Sequence, residues 1–256
     1  MEQTLLEINN VTKAFGGVLA IKDLTFCVSR GQLKAIIGPN GAGKTTLFNV
    51  ITGIYSITAG EIKFKDKKIT GLKPHEITSK GIARTFQVPH LFPNMTVLEN
   101  VMVGRHPRTR AGIFNVALPL QKARAEESSI QQEAIHWLEF FGLRTRAPFL
   151  AETIPFGERR ILEIARALAT EPELLILDEP AAGLNGAEQE SLSQLLKQIQ
   201  AMGVTILWVE HNIRMVMKIS EEVMVIDWGQ KIAEGSPEKV QSDKRVIEAY
   251  LGDGDA

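Results

Sequence analysis

Residues 33–46 read LKAIIGPNGAGKTT, and this stretch determines most of what the sequence predicts. The apolar run at residues 33–37 is typical of a buried parallel strand, and it stops at a turn rich in glycine and proline. Residues 38–45 match the pattern G-x-x-x-x-G-K-[ST] at every fixed position. Small residues in this pattern let successive backbone N–H groups point inward at phosphate oxygens. The stretch therefore predicts a strand, a phosphate-binding loop and a helix that begins near Lys44.

The residue types in this loop indicate how it would hold a nucleotide. Lys44 supplies a positive charge to the β- and γ-phosphates, and the Thr45 hydroxyl can bind Mg²⁺. A side chain at Gly38 or Gly43 would obstruct the path of the loop. The predicted phosphate site comprises Gly38, Pro39, Asn40, Gly41, Ala42, Gly43, Lys44, Thr45 and Thr46.

An acidic pair follows a second apolar run. Residues 174–177 read LLIL, and Asp178 and Glu179 come directly after them. In open α/β sheets, ligands bind at the carboxyl ends of the strands. We therefore predict that Asp178 holds the Mg²⁺ shell and that Glu179 polarises the attacking water as a general base. Taken alone, Asp-Glu-Pro could equally be a charged turn that caps the next helix.

Strand-like and helix-like patterns alternate at both ends of the chain. Short alternating runs fill residues 1–60, and buried-strand patterns return at residues 204–209 and 223–226. Residues 92–143 carry little β signal and include a helical pattern over residues 122–141. This arrangement predicts an α/β fold with a parallel sheet and an inserted helical lobe.

The composition excludes several classes of protein. Lys and Arg total 29 and Asp and Glu total 30, so the net charge is −1. A nearly neutral chain lacks the basic surface that binds nucleic-acid backbones, and we expect no nucleic-acid partner. Cys27 is the only cysteine, which rules out an internal disulfide or a cysteine metal cluster. No apolar run is long enough for a membrane span and the N-terminus lacks the build of a signal peptide, so we expect a soluble intracellular protein.

The order of the motifs resembles that of the nucleotide-binding subunits of ABC transporters. The phosphate loop is followed by Gln87, a glycine-centred motif that leads into a helix, the sequence LDEP at residues 177–180 and a late strand before His211. The resemblance covers nearly the whole chain. It implies a P-loop NTPase (RecA-like) core with an antiparallel β subdomain and an inserted helical lobe. The implied core comprises residues 1–87 and 163–256, and the implied lobe comprises residues 88–162.

The resemblance also implies roles for residues that carry little signal by themselves. Phe15, in the sequence KAFG, matches the aromatic residue that stacks on adenine. Gln87 matches the residue that senses Mg²⁺ and the attacking water while it hinges the lobe, and His211 matches the histidine that contacts the γ-phosphate. Read alone, Phe15 would be a core residue and His211 a residue on a solvated helix face.

Three further stretches resemble one branch of the family, the larger of the two ATP-binding subunits of bacterial branched-chain amino acid importers. They are PAAGLN at residues 180–185, the long insert at residues 104–129 and VIEAYLG at residues 246–252. In this branch Asn185 stands where many ABC proteins have aspartate, so we do not interpret it as damage.

The signature of the family, Leu-Ser-Gly-Gly-Gln, is poorly matched. Residues 154–158 read IPFGE, and only Gly157 is retained. Pro155 removes a hydroxyl and a backbone N–H that would approach the partner's γ-phosphate, and Glu158 adds negative charge near phosphates. The residues assigned by resemblance to the ATP of the partner are Pro155, Phe156, Gly157 and Glu158.

By resemblance, the chain hydrolyses ATP with Mg²⁺ and powers an importer for branched-chain or other hydrophobic amino acids. The implied partners are a second ABC ATPase subunit in a head-to-tail dimer, which we expect to be a heterodimer, and two transmembrane permease subunits. A periplasmic or extracellular solute-binding protein would take part indirectly. The implied location is the cytoplasmic face of the bacterial plasma membrane, to which the chain would bind peripherally.

Two alternatives stay open at this point. One is a soluble ABC ATPase without a transport function, although such chains usually carry tandem domains, zinc hooks or basic extensions that this sequence lacks. The other is a regulatory subunit that binds ATP and hydrolyses it weakly, as the altered signature suggests.

Overall fold

A computed structural model describes residues 3–105 and 120–251 and contains the strand, loop and helix predicted at residues 33–46. In chain order the strands are β1 (Thr4–Phe15), β2 (Val18–Ser29), β3 (Leu33–Ile37), β4 (Ala59–Phe64), β5 (Lys67–Lys68), β6 (Ile82–Arg84), β7 (Leu174–Asp178), β8 (Thr205–Val209), β9 (Glu222–Asp227) and β10 (Gln230–Gly235). The helices are α1 (Lys44–Ile51), α2 (Pro74–Ser79), α3 (Val97–Arg105), α4 (Leu120–Phe140), α5 (Phe156–Leu168), α6 (Gly186–Ala201), α7 (Ile213–Ile219), α8 (Pro237–Gln241) and α9 (Lys244–Leu251).

The described chain divides into two compact units. The first comprises the residues up to Arg84 and those from Glu173 onward, and the second comprises Thr85–Pro172. The expected boundaries lay after residue 87 and before residue 163. The observed ones differ because Arg160 donates hydrogen bonds to the carbonyls of Phe86 and Gln87 and because α5 is one continuous helix. Residues 85–87 and 163–172, which were expected in the core, therefore belong to the second unit.

The first unit contains a six-stranded sheet in the order β10-β9-β3-β8-β7-β6. Only the edge pair β9–β10 is antiparallel, and every other neighbouring pair is parallel. All residues of β3, β7 and β8 are buried, as the continuous apolar runs predicted. The register sets Val209 opposite both Ile36 of β3 and Asp178 of β7. The carboxyl ends of these strands therefore lie side by side.

The same unit contains a four-stranded antiparallel sheet in the order β2-β1-β4-β5. Strands β1 and β2 form one long antiparallel hairpin. In the sequence, this hairpin appears as several short runs of alternating apolar and polar residues. Leu47, Phe48 and Ile51 of α1 join side chains from both sheets in one hydrophobic core. The predicted antiparallel β subdomain is thus confirmed, and it packs on the helix that carries the phosphate loop.

The second unit is helical, as predicted. The last turns of α4 bury Ala134 and Leu138, and the adjoining Phe141 is buried as well; all three lie within the helical pattern predicted over residues 122–141. Residues 106–119 of the predicted insert, and Gly252 of the C-terminal stretch, lie outside the described residues. Over residues 3–105 and 120–251, none of the helices combines the length and hydropathy that crossing a bilayer requires.

Candidate nucleotide-binding site

The predicted phosphate loop connects β3 to α1, and its glycines adopt backbone conformations that other residues rarely adopt. The φ angles of Gly38, Gly41 and Gly43 are 153°, 79° and 101°. A Cβ atom at Gly38 would lie 2.0 Å from the carbonyl oxygen of Ile226, and one at Gly43 would lie 2.4 Å from that of Ala20. Glycine is therefore required at both positions, because the neighbouring backbone leaves no space for a side chain.

Lys44 directs its side chain into this loop. Its ammonium nitrogen donates hydrogen bonds to the carbonyl oxygens of Gly38 at 2.6 Å and Pro39 at 2.7 Å, and the side chain is buried. Burial lowers the pKa of Lys44, and the negative charges of Glu179 and Asp178 act in the opposite direction. The positive charge thus lies inside the loop, where the sequence pattern predicts phosphate.

Asp178 is the last residue of β7 and is buried, as expected of a strand-end carboxylate. It forms an ion pair with Arg84 of β6, with Oδ2 2.8 Å from Nη2. Arg84 also donates to the side chains of Asn49 and Thr52 at the end of α1. Burial lowers the pKa of Arg84 below its usual value, and the adjacent Asp178 offsets part of this effect. Arg84 therefore links the predicted Mg²⁺ ligand to the helix of the phosphate loop.

Glu179 and His211 meet beyond the ends of β7 and β8. The distance from Glu179 Oε1 to His211 Nε2 is 2.9 Å, and the Glu179 N–H donates to the carbonyl of Val209. Glu179 has a φ of 49°, a left-handed conformation that is uncommon for residues other than glycine. Such strained positions cluster at functional sites. The structure thus brings the predicted general base and the predicted γ-phosphate histidine into hydrogen-bond contact.

Phe15 lies at the end of β1 with 42% of its surface exposed, so the interpretation of Phe15 as a core residue is wrong. Its ring contacts Tyr55 edge to face at 5.2 Å, and the Lys13 ammonium lies 4.5 Å from its centre. An exposed aromatic ring can stack on a base. The adjoining strand β2 supplies Ala20, whose carbonyl approaches the phosphate loop.

The residues of the first unit fit ATP and Mg²⁺. The loop offers backbone amides and Lys44 to phosphates, and glycine at positions 38 and 43 lets the loop pass close to the neighbouring backbone. The Asp178 carboxylate and the Thr45 hydroxyl are oxygen donors of the type that Mg²⁺ prefers.

Gln87 and the signature residues belong to the second unit. Gln87 is exposed, and its carbonyl accepts a hydrogen bond from Arg160 at 2.6 Å. Pro155 is the N-cap of α5 and provides no side-chain hydrogen bond, and Phe156 is exposed in the first turn. Glu158 forms two hydrogen bonds with Arg146. The negative charge predicted for Glu158 is therefore paired with a positive one.

Three residues of interest were not predicted from the sequence. Arg84 is a basic residue at the end of the short apolar segment Ile82–Ala83, and that position was the only available signal. Tyr250 of α9 lies beside the backbone of Gly38, and burial raises its pKa to about 12. Arg146 carries no sequence signal, because only the fold brings it to Glu158.

Two family models match the chain. Residues 21–182 match the family described as ABC transporter, and residues 230–256 match the family described as branched-chain amino acid ATP-binding cassette transporter. The chain is 41% identical over 254 residues to the high-affinity branched-chain amino acid transport ATP-binding protein LivG of Escherichia coli strain K12, a match that covers 99% of this chain and 100% of LivG.

Solved structures show the same fold. The ADP conformation of MJ1267, an ATP-binding cassette of an ABC transporter, is similar with a TM-score of 0.85 and 34% identity, over 98% of this chain and 99% of that one. The ATP-binding cassette MJ0796, in a dimeric post-hydrolysis state bound to ADP and Pi, gives a TM-score of 0.78 and 26% identity, over 91% and 99% of the two chains.

Proposed function

The chain belongs to the ATP-binding proteins of ABC transporters, and we propose that it hydrolyses ATP to drive the import of branched-chain amino acids. The observation that carries the proposal is the contact between Glu179 and His211 at the ends of two adjacent strands, next to the strand that enters the Lys44 loop. This arrangement supports a hydrolytic role in addition to nucleotide binding.

The phosphate loop and Phe15 bind the nucleotide. The backbone amides and Lys44 bind the phosphates, and the positive end of the α1 dipole adds to the attraction. Phe15 stacks on the base. When bound, Mg²⁺ neutralises charge on the β- and γ-phosphates, and Thr45, Gln87 and Asp178 are the residues that would hold it.

Glu179 acts as the general base toward the attacking water. An ionised carboxylate only accepts hydrogen bonds, so its bond to His211 requires the proton on His211 Nε2. His211 therefore holds the carboxylate in place in this state. The same N–H can donate to developing charge on the γ-phosphate only after it has left Glu179. A positioned base contributes about 10²–10⁴-fold to the rate.

We further infer that two ATPase subunits close head to tail, so that each ATP lies between the loop of one and the signature of the other. The dimeric state of MJ0796 supports dimerisation. The altered signature at Pro155 weakens the site that holds the partner's ATP, while this chain's own loop and base are complete. A heterodimer with one active and one weak site follows, on the cytoplasmic face of the membrane and bound to two permease subunits. A solute-binding protein delivers the amino acid from outside.

Reconstituted transport tests this function against the two alternatives. The complex is purified through a tag on this chain and placed in proteoliposomes with ATP and Mg²⁺ inside and solute-binding protein outside. We expect ATP-dependent uptake of labelled leucine, and none with Glu179→Gln. A chain that stays in the supernatant after membrane fractionation would favour a soluble ATPase. Uptake without hydrolysis by this chain would favour a regulatory subunit.

A further inference from the structure

The Glu158 carboxylate of the signature segment is held by a nearby arginine in the same unit. Arg146 Nε lies 2.8 Å from Glu158 Oε2, and Arg146 Nη2 lies 3.0 Å from Glu158 Oε1. Two parallel N–H···O bonds of this kind are the strong and directional form of an arginine–carboxylate pair. Arg146 also lies 5.9 Å from the ring of Phe149, which limits the positions of the guanidinium.

This pair lies at the beginning of α5. Glu158 belongs to the first turn, where backbone N–H groups have no partner within the helix and the helix dipole is positive. Pro155 precedes the helix and adds no side-chain cap. A bare carboxylate at this position would repel a phosphate that approached the same N–H groups. A carboxylate that is neutralised by an arginine would not repel the phosphate.

We propose that Arg146 is a positioning residue of the signature segment, which neutralises Glu158 and holds it aside so that the first turn of α5 can face the γ-phosphate of the partner's ATP. This inference rests on the proposed function, because it assumes that the signature of one subunit meets the nucleotide of the other. It explains how Glu158 can lie in a segment that faces phosphate while the segment still binds the partner's ATP.

The test measures photolabelling of the intact transporter complex with 8-azido-ATP. The two ATPase subunits are separated after labelling, so the half-saturating concentration is obtained for each. Arg146→Met should raise this concentration about tenfold for the partner subunit and leave that of this chain unchanged, because like charges brought together at an interface are strongly unfavourable. Glu158→Gln removes the negative charge itself and should lower this concentration, by about twofold or less. The double variant should return to within about threefold of the parent.

Two controls separate this effect from a loss of structure. Arg144→Met removes a neighbouring arginine that contacts Glu139, and it should leave the labelling of both subunits unchanged. Labelling with 8-azido-ADP should not respond to Arg146→Met, because ADP has no γ-phosphate. If the two ATPase subunits are copies of this chain, all ATP labelling shifts together.

Two results would overturn the inference. In one, the partner subunit in the Arg146→Met complex has the same half-saturating concentration of 8-azido-ATP as in the parent complex. In the other, the double variant is as poor as Arg146→Met, which would make the arginine important for reasons unrelated to Glu158. A parent complex that takes no label at all would instead contradict the proposed function.

Discussion

Lys44 brings the positive charge of the candidate site into the interior of the phosphate loop. Lys44→Ala should raise the dissociation constant for ATP about thirtyfold or more, because truncating one partner of a buried charged contact costs about 2–5 kcal/mol. Isothermal titration calorimetry measures this. Lys80→Ala removes an exposed lysine of the same unit and should bind ATP like the parent. Undiminished affinity in Lys44→Ala would rule out the assignment.

The ion pair between Arg84 and Asp178 is buried, with side-chain exposures of 6% and 3%. Arg84→Met should lower the free energy of unfolding by about 3–5 kcal/mol, because Asp178 then loses the charge that offsets its desolvation. Urea denaturation is the measurement. Lys218→Met removes an exposed pair with Glu190 and should cost about 1 kcal/mol or less. Equal losses in the two variants would contradict this account of Arg84.

Single residues differ in how well the sequence reveals them. Lys44, Asp178 and Glu179 are predictable because their chemistry requires a fixed spacing beside an apolar strand. Arg84 is not, because its acidic partner is 94 residues away along the chain and only strand pairing brings the two together. Phe15 and His211 become interpretable only through the family resemblance.

Among the elements, helix α5 determines whether the signature is active. Pro155→Ser together with Glu158→Gln should raise the ATPase rate of the isolated chain up to about a hundredfold, because one restored donor of this type contributes roughly 3 kcal/mol. Since Arg146 already neutralises Glu158, Pro155→Ser alone should supply most of the gain. Fast hydrolysis by the unmodified homodimer, unaffected by either substitution, would mean that the backbone amides around Gly157 are sufficient.

Tyr250 of helix α9 lies beside the backbone of Gly38 in the phosphate loop. Burial raises the pKa of this hydroxyl from 10.0 to about 12, so the folded state retains the proton more strongly than the unfolded state. The resulting stabilisation is complete below pH 10 and declines as the pH rises from 10.0 to about 12. Between pH 10.0 and about 12, the free energy of unfolding of Tyr250→Phe should therefore fall less than that of the parent, as measured by urea titration. Identical pH dependence of the two proteins would contradict the burial of this hydroxyl.

Elements are predictable where burial is uniform. The strands β3, β7 and β8 appear in the sequence as apolar runs because both of their faces are covered. Strand β6 has only three residues, and β10 is an edge strand with one buried residue, so neither leaves a clear pattern. The sheet depends on them nonetheless, since β6 carries Arg84.

For the whole molecule, the fold class and the two-unit organisation follow from the alternation of patterns along the chain. The boundaries do not, because they depend on hydrogen bonds from Arg160 to backbone atoms far away in sequence. Gln87 and the signature, which the proposed function also requires, both lie in the second unit.

We propose that this chain hydrolyses ATP with Glu179 as the base. The most direct test compares ATP binding with steady-state hydrolysis for Glu179→Gln in the purified complex, with Glu190→Gln as an exposed control. We expect Glu179→Gln to keep the parent's ATP affinity, to lower turnover by about two orders of magnitude or more and to accumulate the closed dimer, while Glu190→Gln behaves like the parent. A hydrolysis rate within about threefold of the parent in Glu179→Gln would contradict the claim.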